Sequence, residues 1–170
     1  MNEHLTLACD ADGVLTDFEG LVCRHLKIDH VRHVKSRGQL WWAVDDYDRN
    51  VAPFFESLEK MEGADRLMDF IRSNFINHYI LTASGYTPKD GADQKRRYFA
   101  REYGHDLHVK VVNGSGDKAA FATPTTILID DRAKSIDPWV AAGGIGILHK
   151  DVDSTIARLL EIIDEHRQPV

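Results

Sequence analysis

A chain of 170 residues, 43% of them apolar, is long enough for one full domain and too rich in core-forming side chains for a disordered one. Its net charge of −6 lacks the basic balance of a protein that grips long nucleic acid, and leaves a small charged ligand open. Cys9 and Cys23 are too few for a disulfide framework and lack the C-x-x-C spacing of zinc sites. With no signal-like pattern after Met1 and no run of about 20 apolar residues, the expected setting is cytoplasmic, away from membranes.

The elements alternate along the chain. LTLAC (5–9) reads as a buried strand. From Asp17 to Glu62 no convincing strand follows, yet the interval holds Trp41, Trp42, Tyr47, Phe54 and Phe55 and is too long for an ordinary connection. It is expected to be a mostly helical insertion with a small core of its own. Ala64, Leu67, Met68, Ile71 and Phe75 then recur at helical spacing. Further strands are predicted over 78–82 (HYILT), 108–112 (HVKVV), 125–129 (TTILI) and 144–148 (GIGIL). Helices are predicted over 93–104, where Gly104 is the stop, over 133–143, where Pro138 limits how early the helix starts, and along Val152, Ile156, Leu159, Leu160 and Ile163. Such alternation implies right-handed crossovers and a five-stranded, mostly parallel sheet covered on both faces, with ligands at the carboxyl ends of the strands.

Polar residues cluster at those ends. LTLACDADGVLTDFEG closes its strand with Asp10 and Asp12, whose mutual repulsion predicts a cation between them; an Asx turn is the structural alternative. Thr82 and Ser84 follow the second strand, Lys118 the third, and Asp130 and Asp131 close the fourth. Aspartates from separate strands can bind Mg²⁺, a hydroxyl and a lysine can neutralise phosphate oxygens, and a carboxylate can attack phosphorus. Together they describe a phosphoryl-transfer site.

Through DADGVLTD, ILTAS, DKAAFA and ILIDDR the chain resembles the haloacid dehalogenase-like phosphohydrolases over nearly its whole length. The resemblance implies a Rossmann-like three-layer α/β sandwich, with residues 1–16 and 63–170 as the phosphatase core and 17–62 as a small helical cap after the first strand. It implies Asp10 as nucleophile, Asp12 as general acid and base, and Thr82 and Lys118 as phosphate ligands. Mg²⁺ would be held by Asp10, the Asp12 carbonyl and Asp131 with Asp130. Within that superfamily, DADGVLTDFEG and FFESLEKMEGADRL are similar to the 5′(3′)-deoxyribonucleotidases. By that resemblance Phe18 lines a nucleoside pocket, Phe54 and Phe55 stand at or near its wall, Trp41 and Trp42 offer flat surfaces, and Ala83 and Ser84 extend the substrate site beyond Thr82. Those enzymes carry an arginine two residues before the lysine, where this chain has Gly116.

Other features have plainer readings. GSGDKA mimics a dinucleotide fingerprint but follows the third strand. DDYDRN (45–50), counted from Asp46, has Val51 and Ser57 where a calcium loop needs Gly and Glu, and is expected to be a solvated turn. His30 with His33, and His105 with His108, lack a third ligand at a strand end. QKRRYFAR gathers Lys95, Arg96, Arg97 and Arg101 as the polar face of a helix, or as an anchor for a phosphate-bearing polymer. Two rival functions stay open. A receiver-like signalling domain would put its phosphoacceptor after the third strand, where this chain has Asn113, and a phosphatase of nucleic-acid 3′ ends would want a basic groove. The expected partner is a small phosphate ester, a nucleoside monophosphate by resemblance; a homodimer stays open.

Overall fold

Strand β1 (Asn2–Cys9) turns Leu5, Leu7 and Cys9 into one apolar cluster and Ala8 into another on the opposite face. The computed structural model describes residues 2–166. β1 lies between β2 (Phe75–Ala83) and β4 (Thr126–Asp130), with β3 (Val109–Val112) and β5 (Ile145–Leu148) as the edges. All pairings are parallel, and the order is β3-β2-β1-β4-β5. Cys9 stands opposite both Ile80 and Ile129, so Asp10 and Asp130 leave the sheet side by side. Strand order reverses between β1 and β4, the crevice where open α/β sheets bind ligands.

Helices cover both faces and make a three-layer, Rossmann-like α/β fold. Leu67, Met68 and Ile71 of α3 (Ala64–Asn74), Tyr98, Phe99 and Tyr103 of α4 (Gly91–Tyr103), and Leu159 and Ile162 of α6 (Val152–Glu165) enter the larger cluster. Ile136 and Trp139 of α5 (Ala133–Ala141) fill the smaller one against Ala8, Leu81 and Leu128. Trp139 is fully buried and donates from Nε1 to the Ile145 carbonyl at 3.1 Å. Gly144 is required beside it, because a Cβ there would lie 2.2 Å from that nitrogen.

Between β1 and α3 run α1 (Phe18–Leu26) and α2 (Arg37–Asn50), capped by Asp17 and Ser36. The chain leaves and returns side by side: Asp17 N–H donates to the Glu59 carbonyl and Met61 N–H to that of Leu15. Phe18, Val22, Val44, Phe54 and Phe55 join the same cluster as the sheet residues, so this interval has no separate small core. No helix among the described residues is long and apolar enough to cross a membrane.

Three local expectations are corrected. Phe75 opens β2 instead of closing the preceding helix; its backbone is extended and its ring fully buried. Pro138 sits inside α5, where its missing N–H costs only the bond to the carbonyl of exposed Lys134. DDYDRN is the last stretch of α2, and Asp48 accepts from the Phe54 N–H and the Gln94 amide, so it ties the helix to its neighbours.

Candidate active site

The turn after β1 is wound around one carbonyl. Ala11 O accepts from the N–H groups of Leu15 and Thr16, at 2.8 and 2.9 Å, and Gly13 takes a φ of +83° that suits glycine. A Cβ on Gly13 would lie 2.3 Å from Asp131 Oδ2, so glycine also lets the two loops meet. A cation is expected between the two aspartates; each carboxylate faces a lysine of its own. Lys118 Nζ lies 2.8 Å from Asp10 Oδ1, and Lys95 Nζ lies 2.5 Å from Asp12 Oδ2. Thr16 Oγ1 donates to Asp12 Oδ1 at 2.9 Å and the Ala11 N–H to Asp10 Oδ1 at 2.8 Å, so side-chain-to-backbone bonding coexists with the ion pairs.

Lys118 comes from a 3₁₀ helix (Ser115–Phe121) and is 1% exposed. Its ammonium bridges Asp10 to Asp130, whose Oδ2 is 2.6 Å away. Burial opposes that charge, but Asp10 and Asp130 together hold the ammonium above its ordinary pKa. Asp130, fully buried, also accepts the Arg132 N–H at 2.9 Å, and both of its oxygens are engaged. Asp131 differs: its Oδ1 is buried with no hydrogen-bond partner, and burial together with Asp10 pushes its carboxyl up to about 7. Oxygens of Asp10, Asp130 and Asp131 lie within 4.8 Å of one another. The Asp12 carboxylate is outside that group, turned to Lys95 and Thr16, which leaves its main-chain carbonyl as the expected ligand.

Lys95 is the main surprise. Expected on the polar face of a helix, it is 2% exposed, donates to Thr82 Oγ1 at 2.9 Å as well as to Asp12, and lies over the Phe55 ring. A signal was present, since Lys95 stands three and four residues before Tyr98 and Phe99 and so shares their inward face. Arg96, Arg97 and Arg101 of the same run do point outward.

A cleft of about 130 Å³ opens above these groups. Asp10, Asp12, Phe18, Thr82, Ala83 and Lys118 line it, as does Trp41 of the inserted segment, and so do Tyr86, Arg37, Arg132, Lys134 and Ser135, to which the sequence reading gave no part in the site. Four expected residues do not. Phe54 and Phe55 are buried in the core behind Phe18, with the Phe54 ring edge-on at 5.4 Å, because the return segment packs inward. Trp42 is 57% exposed, since consecutive helical residues diverge by about 100° and Trp41 takes the inward position. Ser84 donates its N–H to the Val112 carbonyl and is not part of the lining.

No family model matches the chain, and no curated protein matches it in sequence. Solved structures do match in shape. A hydrolase from Streptococcus pneumoniae TIGR4 superposes with a TM-score of 0.52 at 17% identity, covering 96% of this chain and 100% of that one. A HAD family hydrolase from Deinococcus radiodurans R1, solved with bound phosphate and sodium, gives 0.54 at 15% identity over 91% of this chain and 87% of its own. A hydrolase from Pseudomonas syringae gives 0.53 at 12% identity, over 98% and 100%. The fold of this chain is therefore the fold of HAD-family hydrolases.

Proposed function

We propose that this chain is a HAD-like, Mg²⁺-dependent phosphomonoesterase that works through an aspartyl-phosphate, with residues 17–62 as its small helical cap. One observation carries the reading: Lys118 neutralises Asp10 and Asp130 from one side while the buried Asp131 Oδ1, beside them, has no partner. A carboxylate oxygen left unpaired among other carboxylates suits a hard divalent cation, so the donor set fits Mg²⁺. Asp10, Asp131 and the Asp12 carbonyl would hold it, with Asp130 kept for Lys118. When bound, Mg²⁺ reduces the repulsion between a carboxylate and a phosphate dianion.

The chain's own groups perform the transfer. Thr82 and Lys118 bind the phosphate oxygens, and a carboxylate oxygen of Asp10 attacks phosphorus. The bond from phosphorus to the substrate oxygen breaks as Asp12, acting as general acid, delivers a proton to that oxygen. Asp12, now a carboxylate, takes a proton from the water that attacks the aspartyl-phosphate, releasing phosphate and restoring Asp10. Lys95 orients Asp12 and Thr82 toward the same point.

Phe18, Trp41 and Tyr86 in the cleft wall support a planar leaving group, and we infer a nucleoside monophosphate, as in the deoxyribonucleotidases the sequence resembles. The test is a panel of phosphate esters assayed with Mg²⁺, using Asp10→Asn as control. Nucleoside monophosphates should be turned over, with at least about a thousandfold loss in the variant. Retained turnover in Asp10→Asn rejects the mechanism, and hydrolysis confined to other esters rejects the nucleotide assignment.

A further inference from the structure

The mouth of the cleft carries cations that the hydrolytic centre does not use. Arg37, Arg132 and Lys134 line both the cleft and an adjoining hollow of about 360 Å³. None of the three forms a salt bridge among the described residues, although the chain as a whole is acidic. Arg37 comes from the first turn of α2, held over the Tyr86 ring at 5.6 Å, while Arg132 and Lys134 flank the start of α5. Arg132 has the Asp131 carboxyl near enough to act on, but Arg37 and Lys134 have no carboxylate partner; like charges from two separate elements thus line the same hollows, an arrangement that an anion between them would relieve.

The start of α5 supplies the rest. Its first turn has no side-chain cap, and the N–H groups of Ser135 and Ile136 both turn back to the Arg132 carbonyl, so those of Ala133 and Lys134 are left for a ligand. Ser135 is 1% exposed, its Oγ has no hydrogen-bond partner, and it lines the cleft. A buried hydroxyl is destabilising unless hydrogen-bonded, so one set in a cleft wall is suited to a ligand oxygen.

We propose that Arg37, Arg132, Lys134 and Ser135 form a second anion subsite, which takes a phosphate of the substrate other than the one being hydrolysed. The substrate class is then a small organic bisphosphate. The inference rests on the phosphomonoesterase reading, and it replaces the monophosphate inferred above with a substrate that carries a second phosphate. A terminal phosphate is favoured over the backbone of a polymer because it brings a full dianion to a cleft of only about 130 Å³.

The experiment compares thymidine 3′,5′-bisphosphate with thymidine 5′-monophosphate, and fructose 1,6-bisphosphate with fructose 6-phosphate, in the full chain and in Arg37→Met/Lys134→Met. In at least one pair the bisphosphate should have a kcat/KM at least tenfold higher, and the double variant should bring that ratio close to one. A wild-type ratio of one or less in both pairs, or a ratio that survives the double variant, overturns the proposal. So does faster hydrolysis of an oligonucleotide 3′-phosphate than of either bisphosphate. If no ester is hydrolysed, the phosphomonoesterase reading fails by itself, and calorimetry with Asp10→Asn still tests the subsite: tighter binding of a bisphosphate than of its monophosphate, lost in Asp10→Asn/Arg37→Met/Lys134→Met, supports it, and equal binding overturns it.

Discussion

Lys95 and Asp12, 83 positions apart in sequence, meet with Nζ 2.5 Å from Oδ2, and the same ammonium donates to Thr82 Oγ1. One buried cation thus fixes the proposed acid–base group and the proposed phosphate-binding hydroxyl relative to each other. Lys95→Met keeps the aliphatic stem and removes both bonds. Misplacing a reacting group by about 1 Å is enough for about a hundredfold loss, so kcat on p-nitrophenyl phosphate should fall about 10- to 100-fold with KM little changed. Steady-state kinetics checks this, and an unchanged kcat would remove Lys95 from any positioning role.

Lys118 has a larger structural task. Among the described residues it is the one cation that forms salt bridges with both Asp10 and Asp130, and all three are buried. Removing one partner of a buried ion pair costs about 3–5 kcal/mol, because the other charge stays behind uncompensated. Lys118→Met should lower stability by about that amount in urea unfolding. Adding Asp130→Asn removes one stranded charge and should recover part of the loss. A double variant no more stable than Lys118→Met would contradict this account.

How much of this was legible in the sequence depends on which residues are local to a strand end. Asp10, Thr82, Asp130 and Asp131 sit where a continuous apolar run stops, and parallel strands pointing one way bring such stops to one rim. Lys95 lies in mid-helix among outward-facing arginines, and only its spacing to Tyr98 and Phe99 separates it from them. Phe54, Phe55 and Trp42 were illegible for another reason. An aromatic ring suits a core and a ligand wall equally well, and the choice depends on how α1, α2 and the return segment pack together, which no local pattern encodes. The cationic corner at α5 is assembled from two distant elements, so neither announces it.

Metal binding should be visible without turnover. A ligand at a hundred times its Kd stabilises by about 2.7 kcal/mol, and for a domain of this size each kcal/mol moves Tm by about 2–4 °C. Saturating Mg²⁺ should therefore raise Tm by roughly 5–10 °C, and EDTA should reverse it. Asp131→Asn should abolish the shift. So should Gly13→Ala, whose Cβ would lie 2.3 Å from Asp131 Oδ2 at a φ of +83°. A full shift in Asp131→Asn would place the ion elsewhere.

Trp41 and Trp42 are adjacent in α2 and separate the ligand wall from the solvent face. Trp41 lines the cleft edge-on to Phe18 and lies against Gly85, whose missing Cβ leaves room for the indole: a Cβ there would be 2.0 Å from the ring. Trp42, at 57% exposure, is outside that wall. Phe18 is a poorer probe, because it is only 6% exposed and packs against Phe54 and Phe55, so truncation would cost about 3–5 kcal/mol of stability and blur any effect on binding. Stacking of one base on an aromatic ring is worth about 1–3 kcal/mol, which corresponds to roughly a 5- to 150-fold change in affinity. Trp41→Ala should accordingly raise KM for a nucleoside monophosphate by about tenfold or more, whereas Trp42→Ala should leave it within about twofold. Initial-rate measurements on the two variants decide the matter: equal effects would mean that the cleft does not hold a base against Trp41.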